Sequence, residues 1–393
     1  MLFGNFFGQK VKHFKTGVRN TFTDLLACRK RDKPLIWFHV SSLGEYEQAL
    51  PLIEEIKNQH PEYQVVLSFF SPSGYEVKKD KTPADCVFYL PVDTPANARK
   101  LLDILQPEKV FFVKYDLWPN YLLEIKKRAI PAYLVSALFT SRHSFFKPYN
   151  KWLKGSLGAF KIFFAQDENT QKVLHEQGFD NVVIAGDTRF DRVYQIAQKS
   201  EKLDFVEKFK QDFPLLVAGS TWPKDEELLL PYINETPLRF KTIIAPHEVH
   251  RAHVDEIIKA LKKPYILYSD IQPDTDLSKY EVLILNTIGL LNKIYRYAGV
   301  VYIGNGFGKS IHNIQEPAVY GVPIITGPHI EKFKEAVDLH QSGGLVVVNN
   351  AVELQQILDE LFTDETRRQK MAEITRNYAL QNVGATKKIV KHL

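Results

Sequence analysis

The chain has 393 residues, of which 45% are hydrophobic and 25% charged, so it can bury a large core and is neither disordered nor fibrous. No run of about 18 uncharged apolar residues occurs, so no membrane-spanning helix is expected in this sequence. The formal net charge is only +5, and two cysteines, Cys28 and Cys86, supply neither zinc-ligand spacing nor a disulfide framework, so a reducing compartment is expected.

The basic excess gathers at the start. Residues 1–33 hold eight Lys and Arg against Asp24 and Asp32, interleaved with Phe3, Phe6, Phe7, Phe14 and Phe22. Such an arm can lie on an anionic membrane surface. A frayed soluble helix or a nucleic-acid-binding arm are the alternatives. No apolar segment of the secretory type opens the chain.

From residue 35, strand-like runs alternate with helical patterns: 35–40, 64–70, 109–115, 131–137, 161–166 and 181–186. A polar, helical connector spans 187–212. The rhythm resumes at 214–220, 239–246, 280–286, 299–305, 322–327 and 343–348, and the tail from about 353 reads as helix. This βαβ alternation predicts parallel sheets with right-handed crossovers. Two successive halves predict two doubly wound α/β domains facing a central cleft, with ligands beyond the carboxyl ends of the strands.

After the first strand comes Ser41-Ser42-Leu43-Gly44-Glu45. Glu45 stands at or before the start of a helix, near its positive end, where an ionised carboxylate is favoured. There it can act as a general base or simply support the first helical turn. Pro51 is expected to limit where regular helix begins. Further on, Asp116 ends a strand just before Trp118 and Pro119, as a site residue or a helix cap.

The second half opens with Gly219-Ser220-Thr221 and Pro223. Free N–H groups and two hydroxyls at a helix start suit a phosphate, and equally suit a plain cap. His247, Glu248, His250, Arg251 and His253 cluster, but the histidines lack the i, i+4 spacing of a zinc helix, so anion binding is the reading, with a solvated helix start as the alternative. In the segment 303–329, Gly304, Gly306 and Gly308 can bring backbone close to a ligand. Lys309 and His312 can meet a phosphate, and Glu316, before Pro317, stands at a helix entry where its carboxylate can pair with ribose hydroxyls. The glycines do not match the dinucleotide pattern GxGxxG.

In order, "HVSSLGEYEQALPLI", "LWPN" with "IPAYLVSALFTSRHSFFKPY", "AQDENTQKVLHEQGFDNVVIAGDTRFD", "AGST" and "IHNIQEPAVYGVPIITGPH" resemble the Kdo (3-deoxy-D-manno-octulosonic acid) transferases of lipopolysaccharide biosynthesis. The likeness runs over nearly the whole chain from residue 35. It implies a GT-B glycosyltransferase: an N-terminal acceptor domain at 34–195, a CMP-sugar donor domain at 196–375, and a C-terminal helix at 376–393 crossing back. It implies inverting, metal-independent transfer of Kdo from the donor substrate CMP-Kdo to a lipid A precursor, with no cofactor and no nucleic acid, at the cytoplasmic face of the inner membrane.

By the same resemblance Glu45 is the catalytic base. The resemblance also places the donor's CMP near Ser220, Thr221, Asn313 and Glu316, and with the readings above the expected substrate-binding set adds Ser42, Gly44, Asp116, Gly219, His247, Gly304, Gly306, Lys309 and His312. The chain departs from the family in carrying "PHE" (246–248) for "PRH" and "NTIGL" (286–290) for "DTxGE", and a basic aromatic arm stands where a hydrophobic anchor is common. A UDP-sugar transferase or epimerase of the same fold, and a non-catalytic membrane-binding module, are the competing readings.

Overall fold

The computed structural model of the protein describes residues 20–114, 116–199 and 201–393. They form two compact units, one running up to Arg192 and including Val383–Leu393, the other spanning Val193–Asn382.

The first unit is built on seven strands: β1 (Leu35–Val40), β2 (Gln64–Phe69), β3 (Cys86–Tyr89), β4 (Lys109–Val113), β5 (Ala132–Ala137), β6 (Phe160–Ala165) and β7 (Val182–Ile184). They pair in the order β3-β2-β1-β4-β5-β6-β7, every pair parallel. All residues of β1, β2 and β5 are buried, as expected when helices cover both faces of a sheet. Alternate residues divide between two cores. Trp37, Val66, Phe112 and Leu134 face one side, and Phe38, Leu67, Phe111 and Tyr133 the other. Burying each such side chain contributes roughly 1.5–3 kcal/mol.

The chain's last helix, Ala385–Val390, belongs to this unit. Ile389 enters the second core, and the Asp191 carboxylate accepts the N–H groups of Gly384 and Thr386 at the helix start. A carboxylate there satisfies free donors and matches the helix dipole.

The second unit repeats the plan with β8 (Leu215–Thr221), β9 (Lys241–Pro246), β10 (Tyr265–Leu267), β11 (Val282–Ile284), β12 (Val300–Ile303), β13 (Ile324–Thr326) and β14 (Leu345–Val347). Their order is β10-β11-β9-β8-β12-β13-β14, again with parallel pairs. Both units are therefore doubly wound α/β domains.

Two expectations need correction, and the basic arm divides into two parts. Pro51 does not bound its helix; it lies buried inside Leu43–Gln59. A proline there costs about 3 kcal/mol, and the neighbouring buried Leu50, Leu52, Ile53 and Ile56 outweigh that locally. The cysteines are not independent: Cys28 and Cys86 are joined in a disulfide across 58 residues. The helical residues 20–28 rest against β3, with the Thr21 hydroxyl donating to Tyr89 O at 2.8 Å and Leu25 in the first core, and this delivers Cys28 to the sheet edge. The basic arm is accordingly not uniform. Residues 1–19 lie outside the described residues, whereas Arg29 is docked on Leu105 O and Gln64. Among the described residues no helix is long and apolar enough to cross a membrane.

Candidate active site

Each sheet has a switch point where the winding turns from one side to the other, between β1 and β4 in the first and between β8 and β12 in the second. Crossovers leave those two strands toward opposite faces, so a crevice opens at their carboxyl ends. The candidate residues gather there.

In the first unit Ser42 caps the helix Leu43–Gln59. Its backbone is extended, and its hydroxyl accepts the N–H of Gly44 at 3.2 Å. The same hydroxyl donates to the carboxylate of Glu45, which is half-buried in the first turn. Glu45 is thus held by a side-chain hydroxyl in the first turn of the helix. Gly44 is exposed beside it.

Asp116 follows β4 and meets a residue that sequence reasoning did not single out. The ring of His39, the next-to-last residue of β1, is fully buried, and its Nε2 lies 2.6 Å from Asp116 Oδ2. Its Nδ1 lies 2.8 Å from Ser68 Oγ on β2, which also accepts the Trp37 indole N–H at 2.8 Å. The Trp118 indole N–H reaches the same Asp116 oxygen at 3.2 Å. Burial pushes the Asp116 carboxyl up, but paired His39, with Ser41 and Trp118 as further donors, holds it below the usual carboxylate range. Because Ser41 adjoins Ser42, this buried line of polar groups braces the turn that carries Glu45. Its sequence signal was a histidine inside an otherwise apolar strand.

In the second unit Gly219, Ser220 and Thr221 end β8. Only Ser220 offers an accessible hydroxyl, and its φ is +54°. Thr221 is fully buried and donates to Glu226 Oε1 at 2.8 Å, so the expected pair of phosphate-facing hydroxyls is reduced to one. Asp225, also missed from sequence, ties the two loops together. It accepts the N–H of Trp222 (2.9 Å), the N–H of Asn305 (2.7 Å) and the Tyr302 hydroxyl (2.8 Å), while burial raises its pKa. Its place three residues after the helix cap is the capping-box spacing.

The glycines serve the protein's own backbone. A Cβ on Gly304 would stand 2.2 Å from Ser220 O, and one on Gly306 would stand 2.3 Å from Gly327 N. Gly219 similarly makes way for the Tyr295 hydroxyl. At Gly304 and Gly306 the close neighbour within the chain is the backbone of an adjoining loop.

Three rings then line up. Trp222 stacks on exposed His247 at 4.8 Å, and His247 lies 4.5 Å from His312. The Trp222 indole donates to His312 Nε2 at 2.9 Å. Burial, aided by His247, lowers His312 to about 4, so at neutral pH it is an uncharged ring with Nδ1–H as its remaining donor, not a cation. Lys309 is exposed on the same loop. Exposed Asn313 accepts the N–H of Gln315 (2.9 Å) and donates to Glu316 (3.3 Å) in the first turn of the helix Gln315–Ala318.

Glu248, His250 and His253 hold ligand atoms within 4.8 Å of one another. Hydrogen bonds among themselves and to Glu226 already occupy them. His250 Nδ1 accepts the N–H of His253, which points Nε2–H at Glu248, and His253 spans Glu248 O (3.1 Å) and Glu226 (2.8 Å). The cluster braces the loop that carries His247.

A sequence profile described as 3-deoxy-D-manno-octulosonic-acid transferase (kdotransferase) matches residues 15–192. A 3-deoxy-D-manno-octulosonic acid transferase of Chlamydophila psittaci is 28% identical over 78% of this chain and 72% of its own length. One from Haemophilus influenzae is 24% identical over 90% of this chain and 85% of its own. Among solved structures, the UDP-GlcNAc 2-epimerase of Neisseria meningitidis matches with a TM-score of 0.65 at 16% identity, over 91% of this chain and 98% of that one. MurG of Acinetobacter baumannii matches at 0.56 and 14%, over 91% and 98%. The solved structures share the fold, whereas the profile and the relatives match by sequence, and by them the chain is similar to the 3-deoxy-D-manno-octulosonic acid transferases over most of its length.

Proposed function

We propose that the protein transfers Kdo from CMP-Kdo to a hydroxyl of a lipid A precursor of the lipid IVA type, with inversion and without a metal or cofactor. The observation that carries this reading is Glu45. In a chain similar to these transferases, a carboxylate sits at a helix start on the switch-point edge of its sheet, braced by Ser42 and adjoining the His39–Asp116 pair.

In this reaction the Glu45 carboxylate takes the proton of the acceptor hydroxyl as its oxygen bonds to the anomeric carbon of Kdo. The bond from that carbon to the phosphate oxygen breaks, and CMP leaves with the electron pair. Asp116 stays ionised and binds acceptor hydroxyls. On the second unit, Ser220, the Nδ1–H of His312 and Lys309 receive the phosphate, while Asn313 and Glu316 receive the ribose. Donors fixed beforehand around the departing phosphate lower the barrier without reorganising. The acceptor is a lipid, so the protein works as a peripheral enzyme at the anionic cytoplasmic face of the inner membrane.

The test is incubation of purified protein with CMP-Kdo and a lipid A precursor, followed by mass analysis. The expected product gains one or more Kdo residues. A glycolipid of unchanged mass, with turnover of a UDP-sugar instead, would refute the proposal.

A further inference from the structure

Between β5 and β6 the chain makes an excursion through two 3-10 turns, Ser144–Phe146 and Pro148–Asn150, and a short helix, Lys151–Ser156. Its inner side is anchored: Phe145 and Leu157 are buried in the first core, and Phe146 and Leu153 pack against it. Its outer side carries Tyr149 at 78% and Trp152 at 56% exposure, three residues apart. Large aromatics left in water on a well-anchored segment mark a surface that something else covers.

The charge around them has one sign. From residue 125 to residue 166 there are eight Lys and Arg and no Asp or Glu. Arg142, Lys147 and Lys151 are exposed around the two rings, and Lys154 is half-buried on the same helix. Aromatic rings with a polar tip, set among lysines, match the boundary between lipid headgroups and acyl chains. The excursion also leaves β5 at the sheet edge that carries Ser42, Glu45 and Asp116, and β5 stands two places from β1. Two strand spacings are about 10 Å.

We propose that this excursion is the surface on which the protein sits on an anionic lipid bilayer, with Tyr149 and Trp152 entering the headgroup layer and the lysines meeting lipid phosphates. The choice of a lipid surface rests on the lipid acceptor proposed above. Docking here keeps the acceptor's acyl chains in the bilayer while its sugar headgroup reaches the edge that holds Glu45. This surface is distinct from residues 1–33, which the sequence alone suggested.

The experiment uses the full chain with vesicles of phosphatidylglycerol and phosphatidylethanolamine whose acyl chains are brominated. Tryptophan fluorescence should be quenched, and W152F should remove most of that quenching while the protein still co-sediments with vesicles. Lys147→Glu, Lys151→Glu and Lys154→Glu together should weaken partitioning by at least tenfold, each lysine contributing roughly fivefold at an anionic surface. Purely phosphatidylcholine vesicles should quench little. Quenching unchanged in W152F, an unaltered partition coefficient in the triple variant, or tighter binding of single-stranded nucleic acid than of vesicles at equal salt would overturn the proposal. Kdo transfer to a detergent-dispersed acceptor should be unaffected in these variants. If the wild-type chain transferred nothing to that acceptor, the transferase reading would fail, while Trp152 quenching by anionic vesicles would still uphold the docking surface.

Discussion

His39 and Asp116 are 77 positions apart in the chain, yet their side chains meet at 2.6 Å, because β1 and β4 are parallel neighbours at the point where the sheet reverses its winding. The pair holds a carboxylate ionised at the sheet edge and, through Ser41, steadies the turn that presents Glu45. Asp116→Asn should therefore lower stability by about 2 kcal/mol, since it weakens a charge-assisted hydrogen bond to a buried ring. The pH dependence has a definite sign. The folded-state pKa of Asp116 lies below its unfolded value, so its contribution is present above the ordinary carboxyl range and is lost as pH falls below about 4. Urea unfolding of the wild type and D116N at pH 7 and pH 3 checks this, and a gap between them that does not shrink at pH 3 would contradict it.

Glu45→Gln keeps the shape of the side chain and an oxygen for the Ser42 hydroxyl, but removes the proton acceptor. Turnover should fall roughly 10²- to 10⁴-fold, with thermal stability and CMP affinity close to wild type. Full turnover in E45Q would rule out Glu45 as the base. A matching loss of stability would instead indicate that the carboxylate's main role is to hold the helix start.

Much of the fold was legible because both sheets are buried on both faces, which makes central strands such as Leu35–Val40 and Leu215–Thr221 read as largely apolar runs. The strands that sequence reasoning missed, Cys86–Tyr89 and Tyr265–Leu267, are the outermost strands of their sheets; they are short and need less apolar surface. Missing the first of these also hid the Cys28–Cys86 link, since nothing local places Cys28 beside it. Glu45 and Asp116 announce themselves as polar residues at strand ends. What braces them, His39 and Ser68, sits on adjacent strands, and only the strand order brings those two together. The glycine-rich loop was recognisable as a place of close approach, but the partner, Ser220 O, comes from a distant segment and has no signature near Gly304.

Gly304 and Gly44 should respond oppositely to alanine. At Gly304 the added methyl group would fall 2.2 Å from a backbone oxygen that no side-chain rotation can move. G304A should therefore destabilise by about 1–3 kcal/mol and weaken CMP binding by displacing the Ser220 loop. Gly44 lies in the first turn of a helix, and its Cβ would meet only Ser42 Oγ at 3.6 Å. G44A should leave stability unchanged or raise it by up to about 1 kcal/mol. Thermal melts in the presence and absence of CMP read both effects. Lost turnover in a stable G44A would show that acceptor atoms need the space above that glycine.

His312 supplies a second pH dependence, opposite in chemical type to that of Asp116. Its ring is folded into the protein as a neutral group, with Nε2 taken by the Trp222 indole and His247 4.5 Å away, and it titrates at about 4. An unfolded histidine takes up its proton near pH 6.5. Below that value the unfolded chain binds a proton that the folded one refuses, so stability declines as pH drops from about 6.5 toward 4 and levels off once the folded ring is also protonated. His312→Gln should flatten this part of the profile. The ring should keep its neutral NMR signature at pH 5.5 in the wild type, and phosphate or CMP at the site should move its titration upward, because an anion accepting from Nδ1–H favours the charged ring. A ring that titrates normally near 6.5 without ligand would mean that the Trp222–His312 bond does not persist in solution and that the donor loop is held by Asp225 alone.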